Sequence, residues 1–360
     1  MKLVLVADCH IDHNIHGFWA VEPWMEACEW AASEGCDAFI VAGDLFHTGK
    51  PSSEAICCAV EGFKLAASGG AECALVAGNH EWIGVTRQRT RRSPAGLLDE
   101  IGFVHAPPEP TALRLECGLW LGAAPWPTPG GDNVTSWPDQ VAELADDADT
   151  HDGPRLLVAH APIAEAQVHP GSEIELRVLT RDWTVPAAEL DLGPFDAVRV
   201  GHIHRRQDVT ERLSYVGSVD RFTFADEGQE KGFSVLEWDD DEEGFADTLI
   251  ETDAREFATL ALGDDLDDVP EGALVRIVLE PGQSASEIDR DTIESAGLQL
   301  VTVTAAARSD TESARSTEAV ASLAEIDPAE LLDEWAERED IRGDDLYDLQ
   351  DAAQDVLGWS

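Results

Sequence analysis

Five short apolar runs constrain this chain more than any other feature, because each ends in a side chain that can bind a cation: KLVLVAD (2–8), AFIVAGD (38–44), CALVAGN (73–79), LLVAH (156–160) and AVRVGH (197–202). They are rich in aliphatic residues and lack strict alternation, as expected of strands buried on both faces. Helical stretches at 20–35 and 51–70 lie between the early runs and close at glycine, the second opening on Ser52 or Ser53 as a cap. Strand, helix and strand at this spacing predict an α/β layered fold with its active edge at the strand C-termini.

The strand ends supply Asp8 and His10, Asp44, Asn79 and His80, His160, and His202 and His204. In a parallel sheet those ends converge, so residues far apart in sequence can share one pocket. The D-x-H and H-x-H spacings put both members on the same side of an extended chain. Seven nitrogen and oxygen donors (Asp8, His10, Asp44, Asn79, His160, His202, His204), with Asp44 as the natural bridge, suit two divalent ions roughly 3.5–4 Å apart. Imidazole, carboxylate and amide donors without thiolate point to manganese, iron or zinc over calcium. Cys9, between Asp8 and His10, faces the other way.

The series D-x-H, GD, GNHE, a lone His and GH-x-H resembles the calcineurin-like metallophosphoesterase superfamily over residues 1–238. Within it, GDLFHTGKPS (43–52), GHIHRRQ (201–207) and YVGSVDRFTFADEGQEKGF (215–233) resemble the double-strand-break repair nucleases, the SbcD type and its archaeal and eukaryotic counterparts. The resemblance implies a layered metallophosphoesterase sandwich with a small α/β capping module and C-terminal helices. It also implies one metal on Asp8, His10, Asp44 and His204, and a second on Asp44, Asn79, His160 and His202. Manganese is the expected ion. His80 becomes the catalytic histidine at the leaving oxygen, with Glu81 as its orienting carboxylate, and water activated by the cations becomes the nucleophile. His47, by itself a loop histidine, is placed by the GDLFH match beside the metals, contacting substrate phosphate or supporting a ligand.

The rest of the chain divides accordingly: a nuclease domain over 1–240, a capping, DNA-contacting module over 252–308, a linker over 309–326 and a helical docking segment over 327–360. Residues 107–137, rich in Pro, Gly and Trp, read as loops around a short strand near 119–124, and DDDEEG after the strand GFSVLEW (232–238) reads as a turn or boundary. REFATLALG, ALVRIVLE, a helix through 286–297 and LQLVTVTA compose the module, with Arg255, Glu256 and Phe257 in its opening strand. Residues 306–326 have a linker's composition. The segment DPAELLDEWAE resembles helices that dock on the coiled coil of an SMC-like ATPase. Its narrow apolar faces cannot form a core alone.

Charge bears on the substrate. The chain carries a net charge of −48, with only 24 basic residues. A high-salt habitat explains such acidity, and so does a basic partner. Against that background Arg87, Arg89, Arg91 and Arg92 follow GNHE, and Arg205 and Arg206 follow GHIH. They offer a track for several phosphates, or pair with neighbouring acids. Duplex DNA is repelled by the whole chain unless salt or a partner intervenes.

Three functions fit: a DNA exo/endonuclease acting with an SMC-like ATPase, a phosphomonoesterase or small phosphodiesterase, and a non-catalytic binding subunit. Whether a homodimer forms is open. The seven cysteines, without a CxxC pair, read as small buried apolar side chains. No run is long enough for a membrane span, the short apolar start is no signal peptide, and a cytoplasmic location is expected.

Overall fold

Alternation along the early strands divides their side chains between two apolar layers. The computed structural model describes residues 1–15, 17–81, 93–126, 133–167, 184–241 and 243–305. Strands β1 (Lys2–Val6), β4 (Ala38–Val41) and β5 (Glu72–Leu75) are parallel neighbours; β2 (Asn14–Ile15) and β3 (Phe18–Trp19) form a small hairpin between the first two. Leu3, Leu5, Ala38, Ile40 and Ala74 face one layer, whereas Val4, Val6, Phe39, Val41, Cys73 and Leu75 face the other. The second set packs under helices α1 (Val21–Glu34), α2 (Ser53–Ser68) and α3 (Pro94–Glu100), which bury Trp24, Ala27, Phe63 and Leu98 against it.

The second sheet repeats the arrangement. Strands β6 (Thr111–Arg114), β7 (Trp120–Ala124), β8 (Arg155–His160), β9 (Ala197–Gly201), β10 (Gln207–Asp208) and β11 (Leu213–Tyr215) assemble in the order β10-β11-β9-β8-β7-β6. Leu121, Ala123, Leu156 and Val158 share the layer of Leu3 and Ile40, so the two sheets meet face to face there. On the far side, Leu157, Ala159, Val198 and Val200 pack with Trp137, Val141 and Leu144 of helix α4 (Asn133–Ala148). The result is a helix, sheet, sheet, helix sandwich. Burying a large aliphatic side chain is worth about 1.5–3 kcal/mol, and these layers supply most of the drive.

The first sheet continues through β12 (Gly232–Asp239) and β13 (Gly244–Glu251), giving the order β13-β12-β1-β4-β5. The acidic run DDDEEG therefore lies where β12 and β13 meet, in a hairpin whose strands pair from Gly232–Glu251 to Asp239–Gly244. Strands β14 (Phe257–Ala261), β15 (Leu274–Leu279) and β16 (Gln299–Ala305) form a small separate sheet. The helix expected over 286–297 is shorter: a 3-10 turn at Ala285–Glu287, then α5 (Arg290–Ser295), capped by Asp289. Phe257 and Leu274 of this module share an apolar cluster with Ile15, Ala20 and Phe222, and Met1–Val278 with Ser284–Thr304 form one compact unit.

The loops expected up to residue 137 instead contain β6 and the start of α4, which carries Pro138 inside it and forgoes one i→i−4 hydrogen bond there. All seven cysteines are unpaired; Cys9, Cys28, Cys36 and Cys73 are buried as expected, but Cys58 and Cys117 are half-buried and Cys57, on the outer face of α2, is exposed. Among the described residues no helix is long and apolar enough to cross a membrane. The linker at 309–326 and the docking helices at 327–360 fall outside the described residues.

Candidate metal centre

Beyond their last paired residues, β1 and β4 run on side by side as loops. Asp8 N–H donates to Gly43 O, His10 N–H to Asp44 O and Ile11 N–H to Leu45 O, each at 3.0 Å. Asp8, His10, Asp44 and His202 adopt positive φ values of 49, 43, 50 and 106°, shared among described non-glycine residues only by Glu243. Each such residue costs about 1–3 kcal/mol and persists only where its surroundings impose it. Here four of the seven candidate donors are so held.

Close approach explains the glycines that precede these donors. A Cβ on Gly43 would collide with the His160 imidazole, one on Gly78 with the Asp44 carboxylate, and one on Gly201 with Ala42 O. The GD, GNH and GH pairs are thus points where two strand ends, or the two sheets, touch through bare backbone.

The convergence produces two donor groups. Atoms of Asp8, His10 and His204 lie within 4.8 Å of one another, as do those of Asp44, His160 and His202. His10 Nε2 and His204 Nε2 are 3.3 Å apart. Asn79 joins the second group, its Oδ1 lying 2.8 Å from His202 Nδ1 and 3.2 Å from His160 Nε2. All seven expected ligands are therefore brought to one edge. Cys9 packs in the layer beneath α1 and joins neither group.

The second group fits a cation on the chemistry of its atoms. His160 Nδ1–H donates to Ala42 O at 2.8 Å, so Nε2 faces Asp44 Oδ2 at 3.2 Å and the Asn79 oxygen. Three acceptors converge only if a positive charge joins them, either a proton on Nε2 or a metal ion. Burial alone would lower the His160 pKa, but Asp44 raises it to about 9. Asp44 is held well below the carboxylate range because His160 overcomes the opposing effect of burial. Asp8 is pushed up to about 7 by burial, against the pull of His160, although both its oxygens accept from His202 N–H at 3.0 and 3.1 Å.

His80 stands beside these groups, its ring 4.9 Å from those of His10 and His47. Its N–H donates to Asp44 Oδ1 at 2.9 Å, and its Nδ1–H donates to His47 O at 2.7 Å. That carbonyl, not Glu81, orients the ring. Glu81 is wholly buried and accepts from Phe46 N–H at 3.1 Å and Gly78 N–H at 2.6 Å. The orienting role expected for it is corrected accordingly: its two oxygens are taken by those N–H groups and clamp the GD and GN loops together. Burial first, and then Asp44, push its carboxyl up to about 8. His47 stacks on His13, with centroids 3.9 Å apart, and forms with His10 and His80 a third cluster of nitrogen donors.

The arginines divide. Arg205 is exposed. Arg206, expected at substrate phosphate, instead donates to Ser234 Oγ and pairs with Asp247 at 2.7 Å, because β12 and β13 lie alongside with an acid that also holds Arg199. Arg87, Arg89, Arg91 and Arg92 lie outside the described residues.

The calcineurin-like phosphoesterase family model matches residues 1–206, more than half of the chain. The chain belongs to the calcineurin-like phosphoesterase family. Among curated proteins it is similar to the DNA double-strand break repair protein Mre11 of Methanopyrus kandleri, with 33% identity over 109 residues. That stretch is 29% of this chain and spans only 24% of the relative's length. Among solved structures, TT1561 of Thermus thermophilus aligns at TM-score 0.40 with 12% identity, over 69% of this chain and 98% of that one. A dimetal phosphatase from Danio rerio aligns at TM-score 0.39 with 12% identity, over 65% and 91%.

Two residues of this phosphoesterase site were not anticipated. Phe222 packs edge-on to His10 and parallel to His13, with centroids 5.1 and 5.8 Å away, and also borders His204. Trp126 covers His202 from the other side at 4.9 Å. Both are aromatic walls beside the donors. Phe222 lies in the stretch 215–233 singled out by resemblance, which gave it no role, and APW contains no spacing that would have marked Trp126.

Proposed function

We propose that this calcineurin-like phosphoesterase is a metal-dependent DNA nuclease, hydrolysing phosphodiester bonds at DNA ends in double-strand-break repair alongside an SMC-like ATPase. The observation that carries the reading is the pair of donor groups at one sheet edge with His80 beside them. The repair-protein similarity and the module sharing an apolar cluster with Phe222 support DNA as substrate. We assign Asp8, His10, Asp44 and His204 to one divalent ion and Asp44, Asn79, His160 and His202 to the other, with manganese as the metal. Such a pair supplies a nucleophilic water at neutral pH and offsets charge on the phosphoryl oxygens.

The chain's own contribution is positional. Ala42 O fixes the His160 tautomer and His47 O that of His80. With Nδ1–H committed, His80 holds any further proton on Nε2, from where it is delivered to the leaving oxygen. Phe222 and Trp126 limit water around the donors. The charge of −48 then makes a partner or high salt a condition of DNA binding, and the docking helices and cytoplasmic location belong to this proposal.

The sequestering of Arg206 favours a second reading, a small phosphoester as substrate, since it removes one anticipated contact to a polymer. The test is manganese-dependent hydrolysis of end-labelled duplex DNA and of p-nitrophenyl phosphate, with wild type and His80→Ala. DNA cleavage abolished in the variant, with metal still bound, supports the proposal. Turnover of the small ester alone replaces it with the second reading. Binding without any turnover sinks both.

A further inference from the structure

Lys231 is the last lysine of the chain and is 2% exposed. Its Nζ lies 2.8 Å from His204 O, 2.9 Å from Ser218 Oγ, 3.0 Å from Asp226 Oδ1 and 3.1 Å from Gln229 Oε1. A buried ammonium is costly, and four acceptors around three donors are what makes this one tolerable. The contact to His204 is the informative one, because that backbone carries a candidate metal donor. The same carbonyl also accepts from Ser218 N–H at 3.0 Å.

The loop that holds Lys231 continues into the small module. Ser218 Oγ donates to Asp220 O at 2.8 Å, and Asp220 accepts from Arg255 N–H at 2.8 Å and pairs with the Arg255 guanidinium at 3.2 Å. Arg221 donates to Gln229 O, Ala254 O, Arg255 O and Glu256 Oε1. Phe222, beside the His10 and His204 rings, shares an apolar cluster with Phe257 and Leu274 of the module. One continuous set of buried polar contacts therefore joins the entry to β14 with the main chain of His204.

We propose that Lys231 is a positioning residue for His204, and that the loop from Gly217 to Gly232 makes occupancy of the Asp8, His10 and His204 group depend on the seating of the module's first strand. The inference rests on the two-metal reading, and its test needs no DNA. Lys231 meets the metal edge through the His204 carbonyl and through its charge near Asp8, both in the Asp8, His10 and His204 group, so its loss perturbs that group and leaves Asp44, His160 and His202 in place. Groups that support a metal ligand from behind change affinity by about 10–100-fold.

The experiment is calorimetric titration of the metal-free full chain with manganese, for wild type, Lys231→Met and Ser218→Ala, with circular dichroism of each. Two ions bind the wild type. In Lys231→Met one of them weakens on the order of tenfold or more while the other keeps its affinity, a split that a general loss of stability does not produce. Ser218→Ala, which removes one hydroxyl between Lys231 and Asp220, shifts the same ion in the same direction and decides the matter if the lysine variant does not fold. Equal affinities for both ions in a folded variant overturn the inference. Fewer than two ions on the wild type overturn the two-metal reading and this inference together, whereas absence of DNA cleavage touches only the proposed substrate.

Discussion

Gly201→Ala perturbs the metal centre through geometry alone. Gly201 ends β9 in the second sheet, and an added Cβ would collide with Ala42 O in the first sheet and lie 2.9 Å from His160 Nδ1. The backbone oxygen cannot rotate away, and the separation is far short of the roughly 3.5–4.0 Å of an ordinary carbon contact, so the strand ends must part by more than about an ångström. Overpacking of this kind costs about 1–3 kcal/mol, and a 1 Å misplacement of reacting groups costs about a hundredfold in rate. His160 and His202 flank the point of contact, so both suffer. Gly193→Ala is the control, because nothing lies within 4 Å of its Cβ position. Denaturant unfolding, manganese titration and turnover of the three proteins provide the assay. The expected outcome is a wild-type profile for the control, and a destabilised Gly201→Ala with weakened metal binding and roughly hundredfold slower turnover. A Gly201→Ala protein with wild-type metal affinity and turnover would refute the close-approach argument.

Other outcomes follow from the corrected contacts. Glu81→Gln retains one acceptor where two N–H groups need one each, so hydrogen exchange at Phe46 or Gly78 accelerates on the order of tenfold, while the His80 tautomer stays fixed by His47 O; unchanged protection at both amides contradicts the clamp. Arg206→Ala removes a partner of Asp247 and lowers stability by about 1–2 kcal/mol with KM unmoved; a raised KM for DNA at unchanged stability would restore Arg206 to the substrate track. The net charge of −48 repels itself less as salt shortens the screening length from about 10 Å at 0.1 M to about 3 Å at 1 M. The thermal midpoint therefore climbs with potassium chloride across that range, and a flat or falling midpoint argues against charge repulsion as the limiting term.

The donor set could be read from sequence because every donor sits at or just past a buried parallel strand, where position along the chain and position in space are tied. That tie ends where side chains leave the strands. Glu81 adjoins His80 in sequence, yet its carboxylate bonds Phe46 and Gly78 N–H, and adjacency alone suggested a pairing that the His47 carbonyl fills instead. Arg206 follows GHIH but belongs to β12 and β13, and β13 was hidden because its strand follows an acidic run that resembles a boundary. Helix α4 was masked by its approach through prolines and glycines. Phe222 and Lys231 act through contacts closed by long loops; the resemblance of residues 215–233 covers both, but it gives neither of them a role.

The most direct test of the two-metal account is anomalous scattering from crystals of the manganese-loaded protein. The account predicts two manganese peaks about 3.5–4 Å apart, one ligated by Asp8, His10 and His204, the other by Asn79, His160 and His202, with Asp44 between them. A single peak, or manganese seated on other residues, would contradict it.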